Sequence, residues 1–205
     1  MNSRTSSRRV FLLSPASSNG ARAQMLLSPR ARFALAEQLR SPSGATLGEV
    51  FSFLSGLYFR GKLAYGSAFG QPLVITPLLG LQPPDYPVTE ALLRQFARVD
   101  IDAGNPAYRK PLEASAALVD EFAGPHATVV LLGSIATGKY VDVLLERFGE
   151  RLLFPQEFVG RGDMSRGGLL LRAVRAGLEL TYVPVKGAVR HGARPPKLPP
   201  IPRRG

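Results

Sequence analysis

The chain has 205 residues, 45% hydrophobic and 20% charged, a balance that excludes a disordered polymer and provides for a sizeable core. Cysteine is absent and histidine occurs only as His126 and His191, which excludes disulfides and thiolate chemistry and leaves little for a nitrogen-ligated metal. The net charge of +11 sits in the ends: residues 1–32 hold six arginines and no acid, residues 187–205 hold five Lys/Arg and no acid, and the body between them balances fifteen of each sign. Basic ends of this kind either bind phosphate backbones or are solvated, frayed termini.

In chain order, residues 9–14 (RVFLLS) read as a first buried strand and SPASSNG after them as a turn-rich loop. Ser28-Pro29 predicts a helix start, with helix over 31–40, and SPSG at 41–44 a break. Thr46 and Glu49 stand at capping-box spacing ahead of an apolar helix. Gly56 and Gly61 are expected to interrupt this region, with a second short helix over 60–69. Residues 73–76 predict a second strand, and the proline-rich PLLGLQPPDYP after it a structured loop without helix. Thr89 predicts a cap for a helix to about residue 99, and Asn105-Pro106 a cap for another to residue 122, with an irregularity at Pro111.

The stretch 127–140, ATVVLLGSIATGKY, is the centre of the pattern. Residues 128–132 are an uncharged, β-branched run, and helical apolar spacing follows over 139–148. Residues 151–154 predict a fourth strand, 159–168 (VGRGDMSRGG) a glycine-rich polar loop, 169–176 a helix and 179–185 a last strand. Alternating strands and helices imply a three-layer α/β/α sandwich with a mostly parallel sheet of about five strands. The expected organisation is a basic flexible N-terminus over 1–8, one domain over 9–186 and a proline-rich basic tail over 187–205.

Ligands of open α/β sheets bind where loops leave the C-terminal ends of strands, so the loops after strands carry the site candidates. Gly133 to Lys139 fits the GxxxxGK spacing of a phosphate-binding loop, with Gly133, Ser134, Thr137 and Lys139 as candidate ligands. Tyr140 stands where that motif needs a small hydroxyl for magnesium, and a tight strand-to-helix turn explains the glycines equally. In the 160–168 loop, Arg161 and Arg166 suit phosphate clamping, Ser165 is a polar contact or a helix cap, and Asp163 is the candidate catalytic carboxylate. Tyr58, Arg60, Lys62 and Tyr65 interleave aromatics with cations, a base-stacking pattern, with Tyr58 and Arg60 the ligand candidates. Ser14, Asn19 and Thr76 follow buried strands. No metal or cofactor site is expected. No apolar run reaches membrane-spanning length and residues 10–13 are too short for a signal-peptide core, so a cytoplasmic protein is expected.

Residues 73–81 (LVITPLLGL), with the downstream PPDYPV, resemble the central domain of archaeosine synthase. LYFRGK from Leu57 and VVLLGSIATGKY are similar to uncharacterised bacterial proteins sharing that core, and the resemblance covers roughly residues 55–170. It implies a uracil-DNA-glycosylase-like core and a role with nucleic-acid bases or their modification. The chain has neither the GQDPYH-type loop nor the HPS-type loop of active glycosylases. The function expected is therefore binding of nucleic acid or a nucleotide-like ligand at the C-terminal edge of the sheet, with base modification or excision as the implied chemistry. The alternatives are a phosphate-dependent enzyme using Gly133 to Lys139, or a non-catalytic scaffold with basic tails whose partner the sequence does not name.

Overall fold

The computed structural model describes residues 9–196 and 198. The expected basic segment 1–8, Lys197 and residues 199–205 of the expected tail lie outside the described residues. The uncharged run after Arg9 forms β1 (Arg9–Leu13), fully buried from Val10 onward. A short α1 (Ala21–Leu26) follows, then α2 (Ala34–Arg40). The second of these starts behind Phe33, not at Ser28-Pro29. The carbonyls of Ser28 and Ala31 are taken by Arg40, at 3.0 and 2.9 Å, which holds the segment before Phe33 as a turn.

Thr46 ends the two-residue strand β2 (Ala45–Thr46) and caps α3 (Leu47–Ser55) through the expected reciprocal pair with Glu49. Gly56, at φ +63°, turns the chain into α4 (Leu57–Phe69), which runs straight through Gly61 instead of breaking there. β3 (Gln71–Thr76) then hairpins into β4 (Gly80–Gln82), a strand hidden in the proline-rich segment, and β5 (Pro87–Val88) pairs back with β2. Thr89 caps α5 (Glu90–Phe96), and Asn105 caps α6 (Pro106–Ala123), where Pro111 is accommodated without a break. β6 (Thr128–Leu132), α7 (Gly138–Phe148) and β7 (Leu152–Pro155) complete the parallel core. α8 (Asp163–Ala176) starts six residues earlier than the apolar pattern alone implies, taking up residues 163–168 of the glycine-rich loop, and β8 (Tyr182–Pro184) is an antiparallel edge.

The main sheet has six strands in the order β4-β3-β1-β6-β7-β8, with β3, β1, β6 and β7 mutually parallel. One face carries α4 and α8, the other α6 and α7, giving the α/β/α sandwich. From β1 the chain steps to β3 on one side; from β6 it steps to β7 on the other. The C-terminal ends of β1 and β6 therefore form a topological switch point, where helices diverge to opposite faces and leave a crevice. Beyond β8, residues 192–196 double back over the turn before α8. A Cβ on Gly160 (φ +71°) would stand 2.1 Å from the Ala193 carbonyl oxygen, so only glycine fits beneath the strap.

Candidate functional site

A cavity of about 710 Å³ opens at this switch point. Residues 14–19 after β1 and Ser134, Lys139 and Tyr140 after β6 form its two central walls, with Tyr58 and Lys62 of α4, Phe96 of α5 and residues 97–101 after it, and Asp163 at the start of α8 around them. Of the residues singled out from the sequence, Ser14, Asn19, Tyr58, Ser134, Lys139 and Asp163 meet here.

The floor is built on Lys62, only 1% exposed. Its Nζ donates to the Ser14 carbonyl oxygen at 2.6 Å and lies 2.9 Å from Ser14 Oγ, while the rings of Tyr58 and Phe59 flank it at 4.5 and 4.9 Å. Helical spacing explains the placement: Tyr58, Lys62 and Tyr65 share the inward face of α4. Loss of hydration lowers the Lys62 ammonium from 10.5 to about 7, Asp163 partly opposing the drop and Arg166 adding to it. Near neutral pH this amine therefore exists in both protonation states, unlike a surface lysine.

Two hydroxyls in the cavity wall are buried without a hydrogen-bond partner among the described residues, those of Tyr58 and Ser18, 4% and 6% exposed. The Arg166 guanidinium lies near Tyr58, but its N–H groups are directed to the Phe158 carbonyl and Asp163, and no well-formed bond reaches the phenol. Burial pushes the Tyr58 phenol well up, which keeps it protonated and a donor. Buried polar groups in folded proteins are nearly always paired, so two orphans in one cavity mark a place for ligand atoms or ordered water.

The loop between β6 and α7 is closed by contacts of its own. Tyr140 turns inward, 7% exposed, and donates to the Ser134 carbonyl at 2.8 Å, its hydroxyl close to Ser14 Oγ. Ser134 Oγ accepts from Ala136 N at 3.3 Å. A Cβ on Gly133 would meet Ser14 Cβ at 2.8 Å and the Tyr140 hydroxyl at 2.9 Å, so Gly133 serves the close approach of the β1 and β6 ends. Lys139 is exposed at the rim, and Thr137 is exposed at the helix start with no capping bond from its side chain.

The remaining predicted residues are not in the cavity wall. Arg60 is exposed on the outer side of α4. Thr76 is fully buried, its hydroxyl donating to the Gly80 carbonyl at 2.8 Å and accepting from Leu79 N, which fixes the β3–β4 turn. Arg161 binds the carbonyls of Glu157 and Pro196 and the Ser165 hydroxyl. Arg166, its side chain 12% exposed, holds the Phe158 carbonyl. These two guanidiniums tie the turn before α8 to its own backbone and to the C-terminal strap. Lys62, Tyr140 and Ser18 are cavity residues absent from the expected ligand set, although all three lie inside stretches that stand out in the sequence. The signal that finds Lys62 is a lone cation on the apolar face of a helix; nothing local to the sequence says that Tyr140 folds inward.

The chain matches no protein-family model, no curated protein and no solved structure.

Proposed function

We propose that the switch-point cavity binds nucleic acid or a nucleotide-like ligand and that the protein acts on its base. The observation that carries this reading is the pair of unpartnered buried hydroxyls, Tyr58 and Ser18, beside the Lys62 floor. A heterocycle offers edge donors and acceptors to such groups and a flat face to an aromatic wall. Lys139 at the rim supplies a cation for an attached phosphate, without the magnesium chemistry of a nucleotide hydrolase. The likeness of residues 73–81 to the central domain of archaeosine synthase supports base modification as the reaction class, in a cytoplasmic setting. Among the described residues no helix is long and apolar enough to cross a membrane.

Calorimetric titration of the full chain with nucleosides, mononucleotides and short single strands tests the reading. At least one of them binds, with weak salt dependence, and Tyr58→Phe weakens it by about tenfold or more because a buried hydrogen bond is lost. Absence of binding to all of them overturns the reading, as does affinity that disappears with salt and ignores Tyr58→Phe.

A further inference from the structure

Ser14 and Lys62 form a contact whose geometry exceeds what ligand binding requires. Ser14 is the first residue beyond β1, its backbone N–H anchored to the Leu132 carbonyl at 3.1 Å, so its side chain is held rigidly at the switch point. Its hydroxyl lies on the cavity wall, 2.9 Å from Lys62 Nζ. The same amine donates to the Ser14 carbonyl, which fixes its direction. A neutral amine so held has a lone pair free to accept the Ser14 proton. Nucleophile, hydrogen-bonded base and an orienting third group are the arrangement by which a hydroxyl is activated without histidine.

We infer that Ser14 is a nucleophile with Lys62 as its general base, and that the cavity performs acyl transfer on an ester, thioester or amide. This stands whether or not the ligand is nucleotide-like. Ser14 Oγ attacks the carbonyl carbon and its proton passes to the Lys62 amine. The tetrahedral oxyanion collapses, the bond to the leaving oxygen, sulfur or nitrogen breaks, and the Lys62 ammonium protonates that atom as it departs. Water then attacks the Ser14 ester, giving a proton to Lys62 that returns to Ser14 Oγ as the carboxylic acid is released. The unpartnered Tyr58 hydroxyl is the donor at hand for the oxyanion. The groups facing Lys62 are Tyr58 on its own helix, Tyr140 of α7, and Asp163 and Arg166 of α8; the two from α8 act on its protonation in opposite senses.

Treatment of the full chain with a fluorophosphonate, read by intact mass and peptide mapping, tests the inference. One adduct is expected, on Ser14, forming faster as pH rises through about 7. Ser14→Ala abolishes the adduct and Lys62→Met, confirmed folded by circular dichroism, slows its formation by about 100-fold or more. Should Lys62→Met not fold, Ser14→Cys offers a second reading: its alkylation by iodoacetamide shows the thiolate forming well below the ordinary cysteine range when Lys62 is beside it. No adduct, an adduct on Ser17, Ser18 or Ser134, or a labelling rate that Lys62→Met leaves unchanged overturns the inference. So does an ordinary thiol titration in Ser14→Cys.

Discussion

Gly61 of α4 and Gly167 of α8 meet where the two helices cross, so closely that a Cβ on Gly61 would stand 2.7 Å from the Gly167 carbonyl oxygen. The converse holds too: a Cβ on Gly167 would meet the Leu57 carbonyl oxygen at 2.7 Å and Tyr58 Cα at 2.8 Å. The crossing sets the site. Lys62 follows Gly61 directly, and Asp163 precedes Gly167 by one helical turn, so the approach of two backbones brings the ammonium and the carboxylate to one cavity.

Gly61→Ala and Gly167→Ala should therefore each push α4 and α8 apart, against backbone that cannot yield as a flexible side chain can. A loss of about 1–3 kcal/mol in urea unfolding is expected for either, with loss of ligand affinity as Lys62 and Asp163 separate. Unfolding midpoints equal to the parent's would show that the helices do not cross at these glycines.

Lys62 gives stability an unusual pH dependence. Its folded value is lowered from 10.5 to about 7, so the unfolded chain holds the extra proton between those two values. The sign follows: the penalty for burying Lys62 is fully present below about pH 7 and fades as pH rises toward 10.5. At about 1.4 kcal/mol per pKa unit, that penalty is on the order of 5 kcal/mol at low pH. Lys62→Met removes it at the cost of leaving Ser14 atoms unpaired, about 1–3 kcal/mol. The variant's Tm should exceed the parent's at pH 6 and the difference should shrink by pH 9.5; a difference that widens with pH contradicts the burial.

Arg166→Ala should destabilise the fold, although the sequence presents Arg166 as an exposed clamp in a glycine-rich loop. Its guanidinium satisfies the Phe158 carbonyl through two N–H groups and lies 5.5 Å from the Phe158 ring centroid. A loss of about 1–3 kcal/mol is expected from the unpaired carbonyl, measured by chemical denaturation. Unchanged stability with abolished ligand binding would restore the clamp.

The difference between these two views of Arg166 shows where the sequence is informative. Periodicity and caps are local, so β1, β6 and β7, the Thr46–Glu49 box and the caps Thr89 and Asn105 can be read directly. Parallel strand ends lie together by topology, which is why the order of strands and helices along the chain is enough to assign Ser14, Thr76, Ser134 and Arg161 to one edge, although of these four only Ser14 and Ser134 line the cavity. The destination of a long side chain is not local. Whether an arginine reaches a ligand or a carbonyl eight residues back depends on tertiary packing, and so does whether Lys62 faces solvent or the β1 end. Gly61 illustrates the same limit: a helix-breaking residue by propensity, it stands inside α4 where α8 leaves no room for a Cβ. β4 is masked by the prolines around it, since three residues paired to β3 leave no alternation to detect.

The GxxxxGK spacing carries its own prediction. Tyr140 turns inward and donates to the Ser134 carbonyl, so its hydroxyl is not directed at a metal ion in this loop. Equilibrium binding of magnesium-ATP should be undetectable up to millimolar ligand, and Lys139→Ala should not alter that. Micromolar, magnesium-dependent binding would favour the phosphate-dependent alternative.

A ligand seated in the cavity between the β1 and β6 ends is visible by amide chemical-shift mapping of the full chain during titration with a nucleoside monophosphate. Perturbations clustered at residues 16–19, 97–101 and 134–140 are expected, saturating together and persisting at raised salt. Perturbations confined to the basic ends and abolished by salt, or none anywhere, would contradict that placement.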